Sequence, residues 1–325
     1  KKGFHWGECQ DDAFVYCGKL VTADRKHKKI IINMPDFIKG TEVRMPSSRG
    51  RLEEKLTPAE MTEFRSSIGC LQWCTSTCRP DMAADTSLLQ KGASELQVKD
   101  LCEAQRVITY LKSTPDNGFV INAINLDSPL ICSYSDASWC NAPGFRTQAG
   151  YFIVITDQDA LTKSRPASVL EWKSHRLKRS VKSTLAAEAA AMESACDVGF
   201  YIGVFLSEIL HSDFKASRSD GHTLVAVRPI TDCRSLYDAL IKQTMSTSEK
   251  RVQISFAAIR ENTASSGGDN SVRWVPTAHQ LADALTKRDF KLRKIMAEFC
   301  MNPEVCLIQQ LSKSDKANET SETDA

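Results

Sequence analysis

Leu130-Ile-Cys-Ser-Tyr-Ser-Asp136 is an apolar run that closes on a carboxylate, and the fold turns on how it is read. Its length and composition predict a buried strand. Two further strand-like runs follow, Ala149 to Ile155 and Val169 to Lys173. An alanine-rich stretch, Leu185-Ala-Ala-Glu188-Ala-Ala-Ala-Met192, then opens a long helix. A strand from Thr223 to Ile230, a helix or two, a strand from Val272 to Val275 and a last helix complete the pattern. Three strands followed by alternating helix and strand predict a mixed α/β sheet with helices packed on it.

Four acids fall at chemically unusual places in that pattern. Asp136 and Asp232 each follow an apolar strand, Glu188 lies on a helix face bordered by Leu185 and Met192, and Asp283 sits in Leu281-Ala-Asp-Ala-Leu285. Thr277-Ala-His-Gln280 reads as a capping box opening the last helix, with Asp283 inside it. An acid at a strand end is ordinarily a turn residue, and one on a helix is ordinarily solvated. Four in successive core elements are different, because a buried carboxylate is costly unless it is paired or binds metal. Oxygen-only ligands suit Mg²⁺ or Mn²⁺, and four negative charges balance two such cations. A site of this kind runs phosphodiester hydrolysis, one cation generating the attacking hydroxide and the other stabilising the leaving 3′ oxygen.

The remainder of the 325 residues leaves room for two or three domains. A net charge of +2 excludes a wholly basic protein, so any nucleic-acid surface must be a local cluster. No unbroken apolar run approaches the roughly 18 residues of a membrane span, and the start, Lys1-Lys2-Gly3-Phe4-His5, has no signal-peptide character. The missing initiator Met leads us to expect a piece of a longer polypeptide. Twelve cysteines contain no CxxC pair, so packing of reduced thiols in an intracellular setting is the simplest expectation, Cys70, Cys74 and Cys78 sharing one helix face.

Upstream, residues 1–45 read as a β-hairpin fragment, Ala13 to Val21 and Lys29 to Asn33, too small to fold alone. Residues 46–124 read as helical: Thr57-Pro-Ala-Glu60 is a capping box, Arg79-Pro-Asp81 breaks and restarts the chain, and Val98 to Leu111 is a further helix. The nuclease-like region spans 125–300, and the polar 301–325 is expected to be a disordered tail.

The blocks Ser133-Tyr-Ser-Asp-Ala-Ser-Trp139, Ser183-Thr-Leu-Ala-Ala-Glu188, Thr231-Asp-Cys-Arg-Ser-Leu236 and Trp274 through Lys287 resemble, in order, the ribonuclease H domain of Ty1/copia-type retrotransposon Pol polyproteins. Glu249 through Glu261 fits as well. The resemblance implies a ribonuclease-H-like five-stranded mixed sheet flanked by helices, and an Asp-Glu-Asp-Asp tetrad that falls on Asp136, Glu188, Asp232 and Asp283. It implies that residues 46–124 are the thumb and connection of a reverse transcriptase and that the hairpin is the end of its palm. The expected activity is metal-dependent cleavage of the RNA strand of RNA–DNA hybrids. Expected partners are the hybrid and the upstream Pol segments, with no membrane and no small-molecule cofactor, in the cytoplasm, a virus-like particle or the nucleus. Asp11-Asp12 lacks the strand that precedes a polymerase's paired aspartates, so a surface loop and no polymerase activity are expected.

Substrate contacts are read from charge. Leu161 to Leu185 holds seven Lys or Arg, among them Lys173, Arg176, Lys178, Arg179 and Lys182, against the single acid Glu171. Such a run before Glu188 would attract phosphates and make binding salt-dependent. Ser183 and Thr184 are candidates for reading the 2′-hydroxyl. His279, four residues before Asp283, is a weak candidate for proton transfer, with a capping-turn histidine as the alternative; Trp139 and Trp172 are expected in the core. Two other classes remain: an inactive remnant that binds hybrids without cutting them, and an integrase or junction resolvase on the same fold.

Overall fold

The computed structural model describes residues 12–43, 51–218, 222–241, 249–264 and 272–307. Asp11 and most of the polar tail lie outside them. The described residues open with strands β1 (Ala13–Tyr16), β2 (Lys19–Asp24) and β3 (Lys29–Asn33), one strand more than the expected hairpin. Cys17 and Gly18 have φ of 49° and 75°, which is the two-residue turn that matches strand twist. Asp12, the described half of the acid pair, is exposed and bridges to Arg25.

The helical layer follows: α1 (Pro35–Gly40), α2 (Pro58–Thr77), α3 (Ala83–Leu89) and α4 (Val98–Ser113). The Thr57 capping box forms as read, with Glu60 N donating to Thr57 Oγ1 and Thr57 N donating to Glu60 Oε2. Of the three cysteines read as sharing a face, Cys74 and Cys78 pack with Phe64, Leu71, Leu101 and Ile108 in one core, whereas Cys70 is half-buried beside the Thr41 hydroxyl and Cys78 caps the end of α2. Arg79 is fully buried. Its guanidinium donates to both carboxylate oxygens of Asp81 and to the carbonyl and hydroxyl of Thr114, tying the α2–α3 break to the end of α4. The span 46–124 is not purely helical: its end is β4 (Gly118–Asn122), which pairs antiparallel with β3 and completes a four-stranded sheet. The helices are thus inserted between the third and fourth strands of that sheet.

The second sheet is built from β5 (Pro129–Ala142), β6 (Arg146–Asp157), β8 (Ser168–Arg176), β9 (Ala226–Thr231) and β10 (Arg273–Trp274), in the order β10-β9-β5-β6-β8. The short β7 (Arg165–Pro166) lies between β6 and β8 in the chain. β5 is central, antiparallel to β6 and parallel to β9, so the sheet is mixed, as the sequence predicts. One face carries α5 (Thr184–Leu210), flanked by α6 (Arg234–Ile241) and α7 (Lys250–Ala264). Alanines 186, 187, 189 and 190 are buried there, while Tyr201, Phe205 and Ile209 are exposed. At 27 residues α5 is long and apolar enough to cross a membrane by length and composition. The other face carries α8 (Phe290–Met301) and α3.

Two expectations are corrected here. Asp283 is not in the last helix. Residues 277–279 and 281–285 form separate 3₁₀ turns, and α8 starts at Phe290 with Asp289 as its N-cap. The tail does not begin at 301, because β11 (Glu304–Val305) pairs with β7 and both Val305 and Leu307 join the core beneath the sheet.

Candidate active site

The sheet register brings two of the acids together. β5 and β9 run parallel with Tyr134 opposite Ile230, and two residues further on come Asp136 and Asp232. Asp136 does not end its strand: β5 continues to Ala142, and Asp136 sits opposite Gly150 on β6. Asp232 leaves β9, its carbonyl accepting from Trp274 Nε1 at 2.9 Å. Glu188 lies in the second turn of α5, whose N-cap is Ser183, the hydroxyl accepting from Ala186 N at 3.1 Å. The backbone of Ala137, next to Asp136, favours the charged form of the Glu188 carboxylate.

Asp283 reaches the same place by a different route. Gln280 donates from Nε2 to the Ser135 carbonyl at 3.0 Å, pinning the 3₁₀ segment to β5. Its Oε1 accepts from Ala282 N, so the glutamine taken for a helix cap caps a tight turn instead. Ser174 donates to the Leu285 carbonyl at 2.6 Å and Asn141 to that of Thr286 at 3.2 Å. The close approach requires glycine at 150, since a Cβ there would lie 2.5 Å from Leu285 Cβ. Thr286 Oγ1 donates to Asp136 Oδ2, and Lys287 Nζ donates to Asp283 Oδ1 at 2.6 Å while standing 3.7 Å from Asp136 Oδ2. The sequence offers Gln280 only as part of a capping box and does not mark Thr286, Lys287 or Gly150 as site residues; the position of Lys287 four residues after Asp283 is the one signal of a pair.

The electrostatics are those of crowded, desolvated acids. Burial, reinforced by the charges of Asp136 and Asp232, pushes Glu188 up to about 9. Burial and Asp136 push Asp283 up to about 6 against the pull of Lys287. Asp136 is raised by burial, opposed by Lys287 and by the Thr286 hydroxyl. Burial works to lower the Lys287 ammonium, and Asp136 and Asp283 together outweigh it. Glu188 Oε2 is buried without a hydrogen-bond partner. Among the described residues, no group of three or more His, Cys, Asp or Glu is disposed to hold a metal ion as it stands. Lys287 is the cation that faces Asp136 and Asp283.

The remaining candidates separate. His279 is exposed in its own turn, and the extended Gln280 (ψ 98°) breaks the spacing that would have put it on one helix face with Asp283. Arg176 donates to the Gln90 carbonyl and Arg179 reaches Ser255 Oγ (3.1 Å) and Glu193 Oε2 (3.5 Å), so both are engaged within the fold. Lys173, Lys178, Lys182 and Thr184 are exposed. The charge of the basic run is also smaller than its count, since Lys163 pairs with Asp159 and Arg165 with Asp157. Trp139 is not in the core: it is 44% exposed and donates to the Val181 carbonyl. Trp172 packs edge-on against Phe119 and donates to the Thr75 carbonyl at 2.7 Å.

No family model matches the chain. It is 25% identical over 252 residues to the retrovirus-related Pol polyprotein from transposon RE1 of Arabidopsis thaliana, covering 74% of this chain and 15% of that protein. It is 26% identical over 237 residues to the corresponding polyprotein from transposon RE2 of the same plant, covering 70% and 14%. The chain therefore spans about 15% of the length of the curated relatives it matches. Among solved structures, RNase H1 from Halobacterium salinarum has 16% identity and a TM-score of 0.33, over 48% of this chain and 93% of that one. Prototype foamy virus protease–reverse transcriptase has 12% identity and a TM-score of 0.29, over 89% and 38%. In sequence the chain is similar to one stretch of the retrovirus-related Pol polyproteins from transposons RE1 and RE2, and its five-stranded mixed sheet with flanking helices is the α/β architecture that the sequence predicts.

Proposed function

We propose that this chain hydrolyses the RNA strand of RNA–DNA hybrids, with Asp136, Glu188, Asp232 and Asp283 as ligands for two divalent cations, Mg²⁺ or Mn²⁺. The observation that carries the reading is Glu188: a buried carboxylate oxygen with no partner, pushed up to about 9 in the company of two other acids. Such a group is costly in the protein as it stands and is relieved by a cation bound through oxygen. The donor set is all carboxylate, which favours Mg²⁺ or Mn²⁺ over zinc. Bound there, the cations would activate the attacking water and offset charge on the leaving 3′ oxygen.

The chain's own residues prepare that site. The Thr286 hydroxyl fixes the orientation of Asp136. Lys287 holds Asp136 and Asp283 near each other and must turn aside for a cation to use both. The exposed Lys173, Lys178 and Lys182 supply phosphate contacts, and Thr184, beside the Ser183 cap, a hydroxyl for the 2′-position. The hybrid as substrate follows from the similarity of the four sequence blocks to the ribonuclease H domain of copia-type elements. The test is a gel assay of end-labelled RNA–DNA hybrid beside RNA–RNA and DNA–DNA duplexes, with Mg²⁺ or chelator. Cleavage confined to the RNA of the hybrid and abolished by chelator is expected; cleavage undiminished in chelator, or none in Mg²⁺, overturns the reading.

A further inference from the structure

Asp283, Thr286 and Lys287 lie on a segment of short turns and loop, 277–289, whose own backbone bonds span only three or four residues, as from Asp283 N to the Gln280 carbonyl and from Thr286 N and Lys287 N to that of Asp283. Its placement against the sheet must come from outside. β5 supplies one anchor through Gln280. The others lead to α3, a helix of the upstream layer in which all seven residues are buried, including Asp85, Thr86 and Ser87.

Asp85 grips the chain just beyond Lys287. Its Oδ2 accepts from Arg293 Nη2 at 2.8 Å and its carbonyl accepts from Arg288 Nη2 at 3.3 Å. The Asp85–Arg293 pair is almost wholly buried, with side-chain exposures of 4% and 14%. The Arg293 guanidinium also lies 4.6 Å from the Tyr110 ring centre, on α4. Two residues on, Ser87 reaches the other side of the same segment by relay: Gln148 Nε2 donates to Ser87 Oγ and to Ser174 Oγ, both at 2.8 Å, and Ser174 donates to the Leu285 carbonyl. Two residues within one turn of α3 therefore reach the residues before and after Thr286 and Lys287.

We infer that Asp85 is a positioning residue of the nuclease site, holding the segment that bears Asp283 and Lys287 through Arg288 and Arg293. The inference rests on the reading of that site as a divalent-cation hydrolase. Losing a carboxylate that faces a buried guanidinium leaves an uncompensated charge, so the segment should shift rather than tolerate the change. Residues that orient metal ligands from behind characteristically change metal affinity when altered.

The experiment uses the full chain with Asp85→Asn, with Arg293→Lys as a second variant should the first fail to fold. Trp172→Phe is the control, because it removes a contact elsewhere on the same interface, to the Thr75 carbonyl. Amide hydrogen exchange of the metal-free proteins is read over 281–289, and Mg²⁺ is titrated by calorimetry and by hybrid cleavage. Asp85→Asn and Arg293→Lys are expected to speed exchange in that segment and to raise the half-saturating Mg²⁺ about tenfold, the low end for such residues, whereas Trp172→Phe lowers the melting temperature and leaves both unchanged. Wild-type exchange and Mg²⁺ dependence in Asp85→Asn, or equal shifts in Trp172→Phe, would overturn the inference. Wild-type protein that neither binds Mg²⁺ nor cuts hybrid defeats the functional reading instead, and the exchange data still decide whether Asp85 holds the segment.

Discussion

Lys287 reaches back four residues to Asp283, Nζ to Oδ1 at 2.6 Å, and the same ammonium stands 3.7 Å from Asp136 on the central strand. Two carboxylates that would repel each other are thereby held by one lysine. Lys287→Met removes that charge and keeps most of the stem. In chelator the variant is expected to melt a few degrees lower, on the order of 1 kcal/mol, because the lysine is 39% exposed and partly screened. Its stabilisation by Mg²⁺ should exceed that of wild type, since a cation no longer competes with an ammonium. Thermal melts with and without Mg²⁺ give both quantities, and an equal or smaller Mg²⁺ effect in the variant would count against Lys287 as the resident cation.

The acids set a pH dependence whose sign can be worked out. Glu188 is pushed up to about 9 from 4.5 and Asp283 to about 6 from 3.8, and Asp136 is raised too. A carboxyl with a raised folded pKa holds its proton more tightly in the native state, so its stabilising effect is fully present below its unfolded value and is lost as pH rises through its folded value. Metal-free protein should therefore lose stability across roughly pH 4 to 9, the lower part of the window belonging to the aspartates and the upper part to Glu188. Glu188→Gln should flatten that upper part and abolish hybrid cleavage while remaining folded. Urea unfolding across this pH range in chelator measures it; a wild-type curve that rises with pH is the contrary result.

Asp136→Asn and Asp232→Asn separate the site from the scaffold. Both substitutions keep side-chain size while removing a ligand charge beside the unpartnered Glu188 oxygen. Cleavage should fall by at least about a thousandfold, if these acids supply the several kcal/mol of charge stabilisation expected of a metal site. Far-ultraviolet dichroism should be unchanged. A variant of either position that keeps most of the wild-type rate would remove that residue from the machinery.

The sequence made the sheet and three of the acids legible because their signals are local. Leu130 to Asp136 is an apolar strand wherever it packs, and Glu188 is conspicuous because its own helix neighbours are alanines and Met192. Asp283 was found but its setting misread: Thr277 and Gln280 have capping-box spacing, and only the Ser135 carbonyl, 145 residues away, shows what Gln280 does. β4 was missed because it pairs with β3, some 85 residues earlier, across a helical insertion. The basic run was over-counted for the same reason. Asp157 and the Gln90 carbonyl engage Arg165 and Arg176 only once the chain has folded.

Gly150→Ala tests how Asp283 is brought to Asp136. The added Cβ would sit 2.5 Å from Leu285 Cβ and 3.2 Å from Thr286 Cγ2, with β6 unable to retreat because it is hydrogen-bonded on both sides. Overpacking of this kind costs typically 1–3 kcal/mol. The 281–287 segment is the softer partner and should move outward, weakening the Thr286 contact to Asp136. We expect lower stability and a loss of cleavage that excess Mg²⁺ partly restores, whereas Gly199→Ala, at the α5–β5 contact against Ser133, should cost stability without a Mg²⁺-dependent component. Rates across a Mg²⁺ series for the two variants decide it.

Hybrid binding should depend on the lysines that the fold leaves exposed and not on every member of the basic run. Lys178 and Lys182 project near the start of α5, Lys173 lies on β8, and all three are exposed. Arg176 and Arg179 are engaged by Gln90, Ser255 and Glu193. Each phosphate contact contributes a slope of roughly 0.7–0.9 in the fall of log affinity with log salt, so a triple change of Lys173, Lys178 and Lys182 to Gln should flatten that dependence by up to about 2–3. Cleavage at saturating hybrid should survive, because none of the three touches the four acids. Arg176→Gln should behave differently, lowering the melting temperature through its lost anchor to the helical layer while leaving the salt slope near wild type. Affinity measured against salt for wild type and both variants separates the two. A slope unchanged by the triple substitution would mean that this run does not lie along the substrate.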